Sequence, residues 1–243
     1  QVWWMVVLIS GVSLAGYAAL RIVGQRHGAL LLGILGGLAS STATTLVYSR
    51  HARETGSLLS LSVVVILTAN LVVLVRLAIV AAILQPAILT TLLPVLGTGL
   101  LAGITFVAFA WRRLDGEGEL PQLDLRNPTE LATALTFGAV YAAVLLLSAA
   151  LSEHAGSLGL YAVALVSGLT DVDAITLSTL RLFGQEKLLA AATTTAILLA
   201  MLANLAFKSG IIVSVGGKAL ASRVLLGFAA VAAGAVGGWA FVS

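Results

Sequence analysis

The chain has 243 residues; 60% are apolar, a further 25 are glycine, and only 13 Lys or Arg and 10 Asp or Glu carry formal charge. A soluble domain has about 25% charged residues, whereas this chain has 9% and a net charge of +3, its cations scattered between apolar runs. That excludes a water-soluble globule, a disordered chain and a nucleic-acid binder, and apolar runs of about 20 residues leave a polytopic α-helical membrane protein.

Cutting at charges and at Gly/Pro clusters gives eight apolar stretches: 2–22, 29–49, 58–84 and 87–111, then 129–151, 158–180, 188–215 and 220–242. The first has no basic leader and no cleavage site, so it reads as a retained span. The opening Gln-Val-Trp-Trp lacks an initiator Met, which suggests a piece of a longer gene product. The third and seventh stretches run long, so tilt or an interfacial extension is expected there. Pro86 and Pro94 bracket the start of the fourth.

Between the halves lies the one extended polar stretch, Arg112 to Pro128, with Gly116, Gly118, Pro121 and mixed charges. It reads as a solvated linker. The expected domains are a first transmembrane repeat at 1–112, a polar linker at 113–128 and a second repeat at 129–243. With eight crossings, the side shared by the termini receives Arg50, Arg53, Arg112, Arg113, Arg126, Arg181 and Lys187. The other side receives Arg21, Arg26, Lys218 and Arg223. The bias favours cytoplasmic termini.

The sharpest feature is a self-match at an offset of 131, where 37–50 lies over 168–181 with the Gly, Leu, Ala, Thr, Leu and Arg identical. Ala69-Asn70-Leu71 over Ala203-Asn204-Leu205 follows at an offset of 134. The expected fold is therefore all-α, about eight transmembrane helices in two four-helix repeats. Four crossings per copy make the copies parallel; re-entrant segments would invert them.

Both copies carry a polar cluster in mid-span. Gly33, Gly36 and Gly37 precede Ser40, Ser41, Thr42, Thr44 and Thr45; Ser167 and Gly168 precede Thr170, Asp171, Asp173 and Thr176. Glycine followed by Ser, Thr or Asp is a helix-start signature, so the second and sixth helices are expected to be broken. The plain alternative is an unbroken helix with small residues at a packing face and hydroxyls bonded to their own backbone. Asp171 and Asp173 are costly in a bilayer, so they should face a cation, a basic partner or a polar interior. Oxygen ligands from them and Thr170 suit Mg²⁺, Mn²⁺ or Na⁺; the positive end of a helix would satisfy them without metal, and a proton is a third partner.

Asn70 and Asn204 sit about half way along long apolar helices and should point inward. Arg76 and Lys208 follow them as candidate charge partners for the aspartates. Lys208 shares a helix face with Asn204, which favours an Asp–Lys pair. Ser40 and Thr42 match Asp171 and Asp173, so one copy is neutral and the other anionic. His27, His51 and His154 lie near span ends. Trp3, Trp4, Trp111 and Trp239 read as interfacial anchors, and the glycines of the fourth and eighth stretches as packing faces within or between chains. There is no cysteine, no nucleotide-binding loop and no zinc-protease helix, so an enzyme is not expected.

The strings at 36–45, 126–131, 167–176 and Ala203-Asn204 resemble a prokaryotic membrane domain of unknown function often fused behind an MgtC/SapB-type membrane domain. The resemblance covers nearly the whole chain. It implies an MgtC/SapB-type partner domain in a longer gene product, and a neighbourhood of magnesium limitation and acid stress. The expected function is an ion transporter or channel for a divalent metal, sodium or proton, with Asp171, Asp173, Thr170, Thr176, Ser40, Ser41, Thr42, Thr45, Asn70 and Asn204 on its pathway. The bilayer and a second copy of the chain are the expected partners. The competing reading is a membrane regulator or scaffold that transports nothing.

Overall fold

In the computed structural model, residues 25–114 and 156–242 are described. Among them every regular element is helical. The order is α1 (Gln25–Glu54), α2 (Leu59–Leu84), α3 (Leu89–Arg112), α4 (Gly156–Thr170), α5 (Val172–Gly184), α6 (Ala190–Ile211) and α7 (Gly217–Val242). Helix is the expected outcome for apolar sequence in lipid, where each backbone N–H and C=O must be satisfied within its own segment. Short 3₁₀ turns at Gly56–Leu58 and Pro86–Ile88 lead into α2 and α3. Pro86 opens the second of these, where a missing N–H costs nothing.

Among the described residues four helices are long and apolar enough to cross a membrane: His27–Glu54, Gly56–Leu84, Pro86–Arg112 and Ala190–Val242. The expected stretches at 2–22 and 129–151, and nearly all of the linker at 113–128, lie outside the described residues. The sixth expected stretch divides into α4 and α5, of 15 and 13 residues, each shorter than the roughly 20 residues of a full span.

Ala190–Val242 holds 53 residues, about 80 Å if straight at 1.5 Å per residue, against a hydrocarbon core of about 30 Å. It does not run straight. A π turn at Ile212–Gly216 is followed by Gly217 at φ 77°, ψ 174°, a conformation that strongly favours glycine. Beyond it α7 returns alongside α6, so that Trp239 Nε1 donates to Thr195 Oγ1 at 2.9 Å across 44 residues of sequence.

The described helices fall into two compact units. The first draws on Gln1–Val73, Ala102–Leu131 and Lys208–Ala230, and the second on Leu74–Leu101, Ala132–Phe207 and Val231–Ser243. In the first, the start of α2 is the core, with Val64, Val65 and Ile66 fully buried. In the second, Leu77, Leu92, Val95, Ile197 and Ala200 are buried. Leu101, Ile104 and Phe109 of α3 are exposed, as expected of side chains whose solvent is lipid.

Candidate functional site

Both expected mid-span interruptions are present, at the two positions that the self-match aligns. In the first unit α1 leaves helical geometry at Ser40, φ −168° and ψ 107°. Its Oγ accepts from Ala43 N at 3.2 Å, the bond of an N-cap hydroxyl to the third residue of a new helix. In the second unit Asp171, φ −151° and ψ 124°, separates α4 from α5. Its Oδ1 accepts from Asp173 N at 2.9 Å. Serine and aspartate do the same local work, satisfying an orphaned donor, but the second cap also brings a carboxylate to the positive end of α5.

A glycine one turn before each interruption lets a neighbouring helix approach. A Cβ on Gly37 would lie 2.6 Å from Ala69 O of α2; one on Gly168 would lie 2.7 Å from the carbonyl carbon of Ala200 of α6. Each neighbouring helix brings its asparagine. Asn204 Nδ2 donates to Gly168 O at 2.9 Å, a carbonyl just ahead of the break. Asn70 Nδ2 donates to Ile66 O at 2.8 Å and to Thr45 Oγ1 at 3.3 Å. The geometry is not a replica: Gly37 packs beside the asparagine, whereas Gly168 packs about a turn before it.

Both candidate charge partners are engaged. Lys208, 1% exposed, donates from Nζ to Ser41 Oγ at 2.8 Å and to Asn70 Oδ1 at 2.7 Å. It therefore ties α2 to the polar segment after Ser40 in the first unit. In the second unit Arg76 Nη2 meets Asp173 Oδ2 at 2.5 Å, both side chains about one-third exposed. A Cα spacing on one helix says which residues share its face, not which neighbouring helix that face meets, so the arginine pairing was the harder one to see.

The hydroxyls divide into bonded and unbonded sets. Thr44 and Thr45 donate to the carbonyls of Ser40 and Ser41, and Thr170 to Ser167 O. Thr42 is half-buried. Thr176 is fully buried, and its Oγ1 has no hydrogen-bond partner among the described residues. Asp173 and Thr176 lie three apart on α5 and so share a face. Thr68, fully packed against Gly33, and Ser49 and Ser62 also hold buried hydroxyls without a described partner. Sequence reasoning passed over these three because lone hydroxyls in apolar runs usually bond back to their own helix.

As to metals, Asp171 is engaged with a backbone N–H and Asp173 with a guanidinium. No group of three or more His, Cys, Asp or Glu side chains is arranged to hold a metal ion among the described residues. Trp239, expected as an interfacial anchor, is tied by its indole N–H to Thr195; Trp111 at the end of α3 meets His27 edge to face, centroids 6.1 Å apart. Gly99 and Gly238 pack against other parts of the second unit, whereas Gly97 and Gly237 have nothing within 4 Å.

Apolar helices, two of them interrupted at capped polar residues, make this a multi-pass helical membrane protein. The chain belongs to a family described as a domain of unknown function, DUF4010, whose model matches residues 7–216. It is similar to an uncharacterized protein of Aquifex aeolicus (strain VF5), 31% identical over 192 residues, which is 79% of this chain and 84% of that one. No solved structure matches the chain.

Proposed function

We propose that the chain is an ion transporter or channel for a cation, with the Asp173 carboxylate beside the second helix interruption as its principal site. The observation that carries this reading is the Asp173–Arg76 ion pair, lodged at a helix start where the surrounding sequence is apolar. Such a pair is expensive to desolvate and no more stabilising than well-packed apolar residues, so its retention favours a use for the charge. Arg76 acts as a resident counter-charge, which an incoming cation displaces. Thr176, on the same face and with a buried hydroxyl that has no partner among the described residues, offers that cation a second oxygen. Asp171 keeps the break open as its cap, while Ser40, Ser41, Thr42, Thr45, Asn70 and Lys208 hold the first interruption. Because each carboxylate already has a partner, a proton or sodium ion suits the site better than Mg²⁺ or Mn²⁺, which need several oxygens at once.

The same reading takes the chain as eight helices in two four-helix repeats, in a prokaryotic inner membrane with cytoplasmic termini. The matched interruptions and the bias of basic residues support it. It includes self-association through open glycine faces such as Gly97 and Gly237, and an MgtC/SapB-type domain in a longer gene product, which rests on the resemblance alone.

Cation flux into proteoliposomes, measured for H⁺, Na⁺ and Mg²⁺, tests the proposal. Asp173→Asn is expected to cut flux by at least roughly tenfold, the loss of about 1.4 kcal/mol of stabilisation on the pathway, with the melting temperature in detergent nearly kept. Asp171→Asn, still a good cap, should keep the fold. The exchange Arg76→Asp with Asp173→Arg separates pair from site, since a structural pair tolerates it and a cation site does not. Full flux in Asp173→Asn would sink the assignment. No flux of any cation by the intact chain would favour the second reading, a regulator or scaffold linked to ion or acid stress, in which the engaged carboxylates are internal fastenings.

A further inference from the structure

A cavity of about 190 Å³ lies within the first unit, and no residue of either interruption lines it. Ser60 and Val63 of α2, Phe106 and Phe109 of α3, and Leu226 of α7 line it, together with Arg113 just past α3 and Arg223 of α7. Its walls are mostly apolar, and of its lining side chains Phe109 is 55% and Leu226 61% exposed. Two guanidiniums stand at it. Arg223 Nη1 donates to Ser60 Oγ at 3.4 Å, and the Arg113 guanidinium carbon lies 4.2 Å from the centre of the Phe109 ring. Neither has a carboxylate partner among the described residues.

The depth of this cleft in a bilayer follows from its residues. Ser60 begins α2 and Arg113 follows the end of α3, so both belong to helix ends. Trp111, two residues before Arg113, is of the type that collects at the headgroup level. Arginines at helix ends carry their charge to that same level while their stems lie on apolar surface. The cleft thus has cations at headgroup depth and aromatic and aliphatic side chains on its wall. That is the complement of an amphiphile with an anionic head and a hydrocarbon tail. Apolar residues alone would accept any lipid; the two guanidiniums, neither with a carboxylate partner among the described residues, select the anionic kind, as basic pockets between membrane helices do.

We propose that this cleft is a binding site for an anionic phospholipid of the bilayer. The phosphate is held between Arg113 and Arg223, the Ser60 hydroxyl beside it, and an acyl chain lies along Phe106, Phe109 and Leu226. The site does not depend on the transport reading.

Native mass spectrometry of the full chain in mild detergent, titrated with phosphatidylglycerol or phosphatidylcholine of the same acyl chains, tests it. The intact chain is expected to retain phosphatidylglycerol roughly tenfold more tightly, and the double variant R113Q/R223Q to lose the preference. Ser60→Asp puts a repelling carboxylate into the cleft at a helix start, where aspartate suits the backbone, and should lose it too. Melting in lipid-free detergent shows whether the variants are folded. Equal retention of the two lipids by the intact chain, or an unchanged preference in folded R113Q/R223Q, would overturn the site. Millimolar glycerol 3-phosphate should fail to displace the lipid; displacement as effective as that by phosphatidylglycerol itself would overturn the lipid in favour of a soluble phosphate compound.

Discussion

Asn70 and Asn204 occupy corresponding places in the sequence but carry different loads. Among the described residues the Asn204 amide donates to Gly168 O alone, whereas Asn70 donates to Thr45 and Ile66 and accepts from the Lys208 ammonium. Polar bonds within membrane proteins contribute about 0.6 kcal/mol on average and up to ~1.7. Asn204→Leu should therefore lower stability by about 1 kcal/mol. Asn70→Leu should cost more, on the order of 3 kcal/mol, because it strips an acceptor from a buried cation as well. Denaturant unfolding in mixed micelles would check the order; an equal loss in both would remove the distinction. That both asparagines matter could be read from sequence, since an amide in lipid must find a partner. Which of the two candidate cations meets which polar group could not, because it depends on how each helix is rotated about its axis.

The interruptions are features of elements, made by what surrounds the capping residue. A Cβ on Gly168 would collide with the backbone of Ala200, which has no flexible end to yield, whereas Gly97 of α3 meets nothing within 4 Å. Gly168→Ala is expected to destabilise by about 1–3 kcal/mol through overpacking. Gly97→Ala should be neutral or stabilising by up to ~1 kcal/mol from helix propensity. Thermal melting of the two variants side by side decides it, and equal melting temperatures would mean that the close approach at Gly168 carries no strain. The breaks themselves were legible: a small residue, then Ser or Asp with a free amide two or three positions on, is a helix start wherever it occurs. The span count was not, since the eight stretches were cut at charges and glycines, and two of them fall outside the described residues.

For the whole molecule the open quantity is the path of the chain across the bilayer. Eight crossings in two parallel repeats put the loops at Gly56 and Lys187 on the same face; a re-entrant α4–α5 segment puts them on opposite faces. Both positions are exposed, and the chain has no cysteine of its own, so single variants Gly56→Cys and Lys187→Cys can be labelled with an impermeant maleimide from either side of sealed vesicles. Labelling from the same side is expected. Opposite sides would rule out parallel copies and with them the eight-crossing count.

The reversal at Gly217 bears on assembly. One residue in the left-handed region is what keeps α7 folded back on α6. Were that residue obliged to stay right-handed, the two would tend to merge into a single rod about 80 Å long, more than twice the thickness of the hydrocarbon. The outer half would then leave its own chain's packing surface exposed and have to seek the equivalent surface on a neighbour. Exchange of a helix between copies is a cheap route to dimers, and in this chain a glycine with no side chain to give up is what stands against it.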